Sequence, residues 1–299
     1  MRSDAATRLC DHISHDRDRS ATCGYTSEGN FRNRSNTMID FTALMASMTT
    51  DGDTSSAAAT EDWLQGRTVY GGLSAAFCLE SVSQQFGDLP PLRSAQFSFV
   101  GPAAGTLTIR PTVLRRGKST VFVGVDLIGE AGLATRATLC YGAARESSLA
   151  FGGLAAPLVP EPADCPSFFR PIPGLNFIQH FEGRFAGGNV PFSQGKHPGF
   201  SIWLRHRDEA KPASMTALVA LTDAPPPAAL VLVKSPGPIS TMTWSIDLLT
   251  DRPETRDGWW LLETKAESVT GGYSSQATTL WNADRQPVLV SRQNIAVFM

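Results

Sequence analysis

Two stretches of this sequence read as helices that are apolar on nearly every side, and a helix of that kind is stable only when something wraps it. The first runs Gly71-Gly72-Leu73-Ser74-Ala75-Ala76-Phe77-Cys78-Leu79-Glu80-Ser81-Val82. The second runs from Pro212 to Leu221, with Pro212 suited to a first helical turn and Pro225-Pro226-Pro227 ending the element.

Each helix is followed by four strand-like runs. After Pro90-Pro91, Ala95, Phe97 and Phe99 alternate with Ser94, Gln96 and Ser98, the period of a half-buried antiparallel strand. Thr106 to Leu114, Ser119 to Ile128 and Leu133 to Ala143 follow, separated by turns at Arg116-Gly117-Lys118 and Gly129-Glu130-Ala131-Gly132. Beyond the second helix, Met242, Trp244, Ile246 and Leu248 alternate with Thr241, Thr243, Ser245 and Asp247. Trp259 to Ser268, Gly272 to Trp281 and Val288 to Val297 complete that set. Phe177 to Phe185 and Phe200 to His206 are predicted as further strands. Glycine marks the same arch in both sets, at Gly117 and at Gly271-Gly272.

This repetition divides the chain into a first module over residues 38–148 and a second over 176–299. Between them, residues 149–175 form a linker rich in Pro, Ala and Gly, where the prolines forbid a continuous helix or a central strand. Residues 1–37 carry almost no apolar periodicity and are expected to form a disordered arm. The pattern starts abruptly at Met38, which reads as a translational start; an ordinary flexible extension is the other reading.

A formal net charge of −2, with Lys and Arg spread along the chain, provides no basic stripe for a phosphate backbone, so nucleic acid is not an expected partner. No apolar run approaches the roughly 20 residues that span a bilayer, and no signal-peptide pattern opens the chain. Membrane insertion is not expected, and the chain reads as soluble and cytoplasmic. Its five cysteines, Cys10, Cys23, Cys78, Cys140 and Cys165, lack metal-ligand spacing and suggest a reducing compartment without a bound metal. Cys78 and Cys140 sit among apolar residues, as small buried hydrophobes do.

Several local motifs recur in a known order. They are Tyr70-Gly71-Gly72 at the first helix, Pro91-Leu92-Arg93-Ser94 with Phe97 to Val100, and Arg115-Arg116-Gly117-Lys118-Ser119. In the second module they are Ile202-Trp203-Leu204-Arg205, Leu221-Thr222-Asp223, Ser240-Thr241 and Ser291-Arg292-Gln293. In these residues the chain resembles the acyl-CoA thioesterase II family of thioesterase-like proteins, over about 40–148 and 176–299. The resemblance implies an α+β double hotdog, two tandem modules each with a curled antiparallel sheet around a central apolar helix. It also implies hydrolysis of an acyl-CoA thioester to a free acid and CoA, with no cofactor beyond the coenzyme A of the substrate, a role in lipid metabolism, and a homodimer.

The family's catalytic carboxylate, hydroxyl and amide match Asp223, Thr241 and Gln293. A carboxylate can accept a proton from water that a hydroxyl and an amide hold in place. At the end of an apolar helix, Asp223 is expected to be partly desolvated, with its pKa raised toward that of a useful base; capping the turn before the prolines is its plainer role. Thr241 and Thr243 share one face of a regular strand, and Thr241 is the better match. Gln293 reads either as a site residue or as an edge-strand amide. Gly71 and Gly72 permit close backbone approach at a helix start, either bordering the acyl site as oxyanion donors or serving tight packing. Arg115, Arg116 and Lys118 read as contacts to CoA phosphates or as a solvated hairpin.

A hotdog enoyl-CoA hydratase needs a histidine a few residues beyond its carboxylate, where this chain has Ala224 and Pro225. A serine hydrolase elbow is absent, since Gly72-Leu73-Ser74-Ala75-Ala76 lacks its second glycine and no histidine follows His206. A catalytically silent acyl-CoA-binding protein of the same fold remains open, because Ala224-Pro225-Pro226-Pro227 replaces the bulky aromatic stretch of better-defined thioesterases.

Overall fold

The computed structural model of the protein describes residues 38–210 and 212–299; the predicted arm, residues 1–37, lies outside them. The elements run α1 (Phe41–Ala46), β1 (Thr49–Asp51), β2 (Thr54–Ala58), β3 (Leu64–Gln65), β4 (Thr68–Val69) and α2 (Gly71–Gln85). Next come β5 (Leu92–Phe99), β6 (Thr106–Arg116), β7 (Thr120–Gly129) and β8 (Gly132–Gly142). Then follow β9 (Phe181–Gly188), β10 (Gly199–His206), α3 (Met215–Thr222), β11 (Ile239–Leu248), β12 (Trp260–Thr270), β13 (Tyr273–Asn282) and β14 (Pro287–Val297).

Twelve strands form one antiparallel sheet in the order β1-β2-β6-β7-β8-β5-β11-β14-β13-β12-β10-β9. Read inward from either end, that order is the same: two strands that precede the helix, then the second, third, fourth and first of the four that follow it. The repetition seen in the sequence is therefore a repetition of topology. The halves join where β5 pairs with β11, placing Phe97 opposite Trp244 and Ala95 opposite Ile246.

Both predicted helices form, buried as their composition demands. Along α2, Gly72 to Leu79 are all buried, as are Ser81 and Val82, and along α3 every residue from Thr216 to Thr222 is buried. α3 starts later than predicted: Ser214 caps it by accepting the Ala217 N–H at 3.1 Å, so Pro212 lies before the helix. The turn at Gly271 and Gly272 has both φ angles positive (+58° and +80°), as a two-residue hairpin turn requires.

The predicted strand from Phe177 begins instead as a short 3-10 turn over Asn176–His180. Phe177 and Ile178 are consecutive and both buried, which a half-exposed strand cannot provide, and Phe177 stacks on Tyr70 with ring centroids 4.3 Å apart. Within the predicted linker, residues 154–165 cross the outer face of the second half. Ala156, Val159 and Cys165 cover Trp203, Leu261 and Trp281 there, and Trp203 Nε1 donates to the Pro160 carbonyl at 2.9 Å. No helix among the described residues is long and apolar enough to cross a membrane.

Candidate active site

Asp223 stands at the end of α3, in a backbone conformation (φ −94°, ψ 2°) that still belongs to the last turn. The prolines at 225–227 supply no N–H groups and stop the helix there. This end of α3 meets the first turn of α2. Tyr70 donates from its hydroxyl to the Ala220 carbonyl at 3.2 Å, and the two backbones approach so closely that a Cβ at position 72 would lie 2.7 Å from that same oxygen. Gly72 is the residue that permits the contact.

The same approach brings the α2 N-terminus to the carboxyl group. A Cβ at position 71 would lie 2.8 Å from Asp223 Oδ2, and the Gly72 N–H donates to the carboxylate. Gln293 Nε2 donates to Oδ1 at 2.5 Å. Burial disfavours the ionised form, while the Gln293 and Gly72 donors and the positive end of α2 favour it. Burial prevails, and the pKa is raised to about 7.

Gln293 belongs to a row of inward-facing residues that crosses both halves of the sheet. Strand pairing sets Val125, Ala137, Phe97, Trp244, Gln293 and Gln276 side by side, on β7, β8, β5, β11, β14 and β13 in turn. The row is apolar on the first side of the seam and turns to amides on the second. Within this row the polar side chains therefore come from the second half, while the first half contributes the Gly72 N–H from α2. Gln276, which no sequence motif marks, is buried, donates from Nε2 to Gln293 Oε1 at 2.6 Å, and accepts the Ala228 N–H at 3.0 Å.

The threonines are placed differently from the expectation of a shared face. A bulge at Met242 shifts the register between Thr241 and Thr243, so Thr241 pairs with buried Ile295 whereas Thr243 pairs with Asn294. Thr241 thus shares the inner face with Gln293, about 7 Å along the strand direction from its row, and Thr243 is exposed on the other face. Among the described residues the Thr241 side chain makes no hydrogen bond to Asp223 or Gln293.

The basic arch lies away from this cluster. Arg115, Arg116 and Lys118 are exposed at the turn between β6 and β7, and Arg116 holds Asp88 with two bonds of 3.0 and 3.4 Å. Asp88 follows the C-terminal end of α2, whereas Asp223 touches its N-terminal end. The 15-residue helix separates them by about 20 Å.

The other reactive side chains are elsewhere too. Cys78 is wholly enclosed in α2, and burial pushes its thiol far above its ordinary range, which suits a packing residue. His206 lies buried with Nε2 2.9 Å from the Ala217 carbonyl, at the opposite end of α3 from Asp223. His180 stacks on Trp63 at 3.8 Å beside Asp62. Among the described residues no group of three or more His, Cys, Asp or Glu is placed to hold a metal ion.

A hot dog fold protein from Alicyclobacillus acidocaldarius matches the chain with a TM-score of 0.77 and 24% identity, over 86% of this chain and 97% of that one. The tesB protein of Mycobacterium avium subs paratuberculosis matches with a TM-score of 0.69 and 13% identity, over 86% and 98% of the two chains. Acyl-CoA thioesterase II TesB2 from Mycobacterium marinum matches with a TM-score of 0.66 and 14% identity, over 85% and 97%. These likenesses establish the hotdog fold. No curated protein matches the sequence. Residues 59–142 match the acyl-CoA thioesterase N-terminal domain, and residues 157–297 match the C-terminal domain of the same family. Matched in both of its domains, in order and over most of its length, the chain belongs to the acyl-CoA thioesterase family.

Proposed function

We propose that this protein hydrolyses an acyl-CoA thioester in a double hotdog whose reacting centre lies at the seam between the halves, with Asp223 as general base. The observation that carries this reading is the Asp223 carboxylate itself. It is held by the Gln293 amide and the Gly72 N–H where the two buried helices meet, and burial tunes it to about 7. A base with that pKa is substantially ionised at neutral pH, yet basic enough to take a proton from water.

In the proposed reaction a water held by Asp223, Gln293 and Thr241 adds its oxygen to the thioester carbonyl carbon and gives a proton to Asp223. The carbonyl oxygen takes up the negative charge beside the first turn of α2, where the Gly71 and Gly72 N–H groups precede the first bonds of the helix, made by Leu73 and Ser74 to the Tyr70 carbonyl. The carbon–sulfur bond then breaks, Asp223 returns the proton to the departing thiolate, and the products are a carboxylic acid and CoA. No cofactor takes part. Gly71 and Gly72 border the reacting carbon, and Arg115 and Lys118 are left to meet the phosphates of the nucleotide end of CoA.

The test is thiol release from a panel of acyl-CoAs by the wild type and Asp223→Asn. The reading expects turnover on at least one acyl class and a loss of 10²-fold or more in the variant. Tight acyl-CoA binding without thiol release, under conditions where a control thioesterase works, would establish the silent binding protein instead.

A further inference from the structure

We infer that Gln276 is a positioning residue for the Asp223 site, fixing which way round the Gln293 carboxamide sits by means of a backbone donor that the triproline segment creates. The inference rests on the proposed function in that it takes Asp223 as the base.

Pro225, Pro226 and Pro227 have no N–H groups, so Ala228 carries the first backbone donor after Ala224. It opens the 3-10 turn Ala228–Leu232, where an N–H has no partner within its own turn, and Ala228 is fully buried. The donor is satisfied by Gln276 Oε1 at 3.0 Å. A backbone N–H cannot become an acceptor. A Gln276 amide turned by 180° would therefore set NH2 against N–H and leave two buried donors facing each other.

With its oxygen fixed on Ala228, Gln276 must present its NH2 to Gln293, and it does so at 2.6 Å from Oε1. The Gln293 NH2 is then the only group of that side chain left to face Asp223, which it meets at 2.5 Å. One irreversible donor at the start of the chain thus sets the polarity of every bond up to the carboxylate. An unconstrained Gln293 could instead turn its oxygen toward Asp223 and accept from the protonated acid. The relay removes that alternative and holds the site in the form that binds the ionised base. It also gives a purpose to the proline-rich stretch that departs from the family's aromatic pattern.

The groups around Asp223 make the prediction specific. On the α2 side they are the Gly72 N–H and the Tyr70 phenol, which burial and, less strongly, the nearby carboxylate keep neutral. On the sheet side they are Gln293 and Gln276, which do not titrate. A pH midpoint that moves with Gln276 therefore reports the amide relay.

The experiment is a double-mutant cycle of Gln276→Met and Gln293→Met, followed by the pH dependence of kcat/KM and by a carbon-13 titration of the Asp223 carboxyl without substrate. Gln276→Met is expected to lower kcat about tenfold with KM within about twofold. It should also move the Asp223 midpoint to higher pH. In the Gln293→Met background the same change is expected to add nothing, because Gln276 acts through Gln293. An unshifted midpoint in folded Gln276→Met, or full additivity in the double variant, would overturn the inference. Should Gln276→Met fail to fold, Gln276→Asn, which withdraws the amide by one methylene, carries the same cycle. Full turnover by Asp223→Asn would refute the hydrolytic reading alone, since the carboxyl titration still decides whether Gln276 orders the site.

Discussion

Gln293, on the last strand of the chain, donates from Nε2 to Oδ1 of Asp223 at 2.5 Å, joining the interior of the sheet to the end of a buried helix 70 positions earlier. The bond favours the ionised carboxylate and works against the burial that raises its pKa to about 7. A reaction that uses this group as a base must therefore switch on across neutrality. The acid limb of kcat/KM, measured by thiol release, is expected to have its midpoint near 7 and to move to higher pH in Gln293→Leu, which removes a donor to the charged form. A limb centred near pH 4, the ordinary carboxylate range, would contradict the upward shift that burial gives Asp223.

The same carboxyl group ties activity to stability with a definite sign. Its folded pKa lies above its unfolded one, so its stabilising contribution is fully present below about pH 4 and is lost as pH rises through about 7. Replacing it with a neutral amide removes that loss. Asp223→Asn is expected to melt higher than the wild type at pH 8 and to keep much less of that advantage at pH 5, as differential scanning calorimetry would measure. An advantage that does not change with pH would contradict the linkage.

His206 behaves in the opposite direction. Burial holds its imidazole neutral and lowers its pKa to about 4, while an unfolded chain protonates it near 6.5. Its contribution is therefore present above about pH 6.5 and is lost as pH falls toward 4, by up to about 3 kcal/mol. Urea unfolding between pH 7 and 4.5 is expected to show a decline that is smaller in His206→Gln, once each protein is referred to its own stability at pH 7.

The bulge at Met242 separates two threonines that a regular strand would hold together. Thr241 faces inward with Ile295, and Thr243 is exposed beside Asn294. Thr241→Val is expected to lower kcat by about tenfold or more, as the loss of one hydroxyl that orients water would. Thr243→Val should leave kcat within about twofold. Equal effects from the two substitutions would mean that neither hydroxyl acts on the reacting water.

The contrast between these threonines shows where sequence reasoning stops. Helices such as α2 and α3 declare themselves, because burial on every side needs apolar residues at every phase. Strands such as β5 and β11 alternate cleanly, because one face is wet. A bulge changes only the count of residues between two pairs, and Thr241-Met242-Thr243 alternates as any strand does. Gln276 was hidden for a related reason: from Tyr273 to Thr278, β13 is polar at nearly every position, so alternation does not say which face turns inward. Its partner Gln293 on β14 decides that. The short helix α1 is not legible in the sequence because its first turn is held by Asp208, whose carboxylate accepts the Thr42 N–H at 2.8 Å across 166 positions. Asp223 was found through a family pattern; the glycine contact that makes it distinctive is a matter of tertiary packing.

That contact yields the sharpest test of how the helices build the site. A Cβ at position 72 would fall 2.6 Å from the Tyr70 ring, 2.7 Å from the Ala220 carbonyl oxygen and 2.9 Å from Asp223 Cβ. The carbonyl belongs to α3 and cannot rotate away, so the helix ends must separate, taking the Gly72 N–H off the carboxylate. Gly72→Ala is expected to cost about 1–3 kcal/mol in urea unfolding, as overpacking of a closed core does. It should lower kcat more than the loss of stability alone explains. Gly87→Ala provides the comparison, since a Cβ there meets nothing within 4 Å. It is expected to match the wild type in turnover, with stability within about 0.5 kcal/mol. If both substitutions left turnover and stability unchanged, the close approach of the two helices would have no part in holding Asp223.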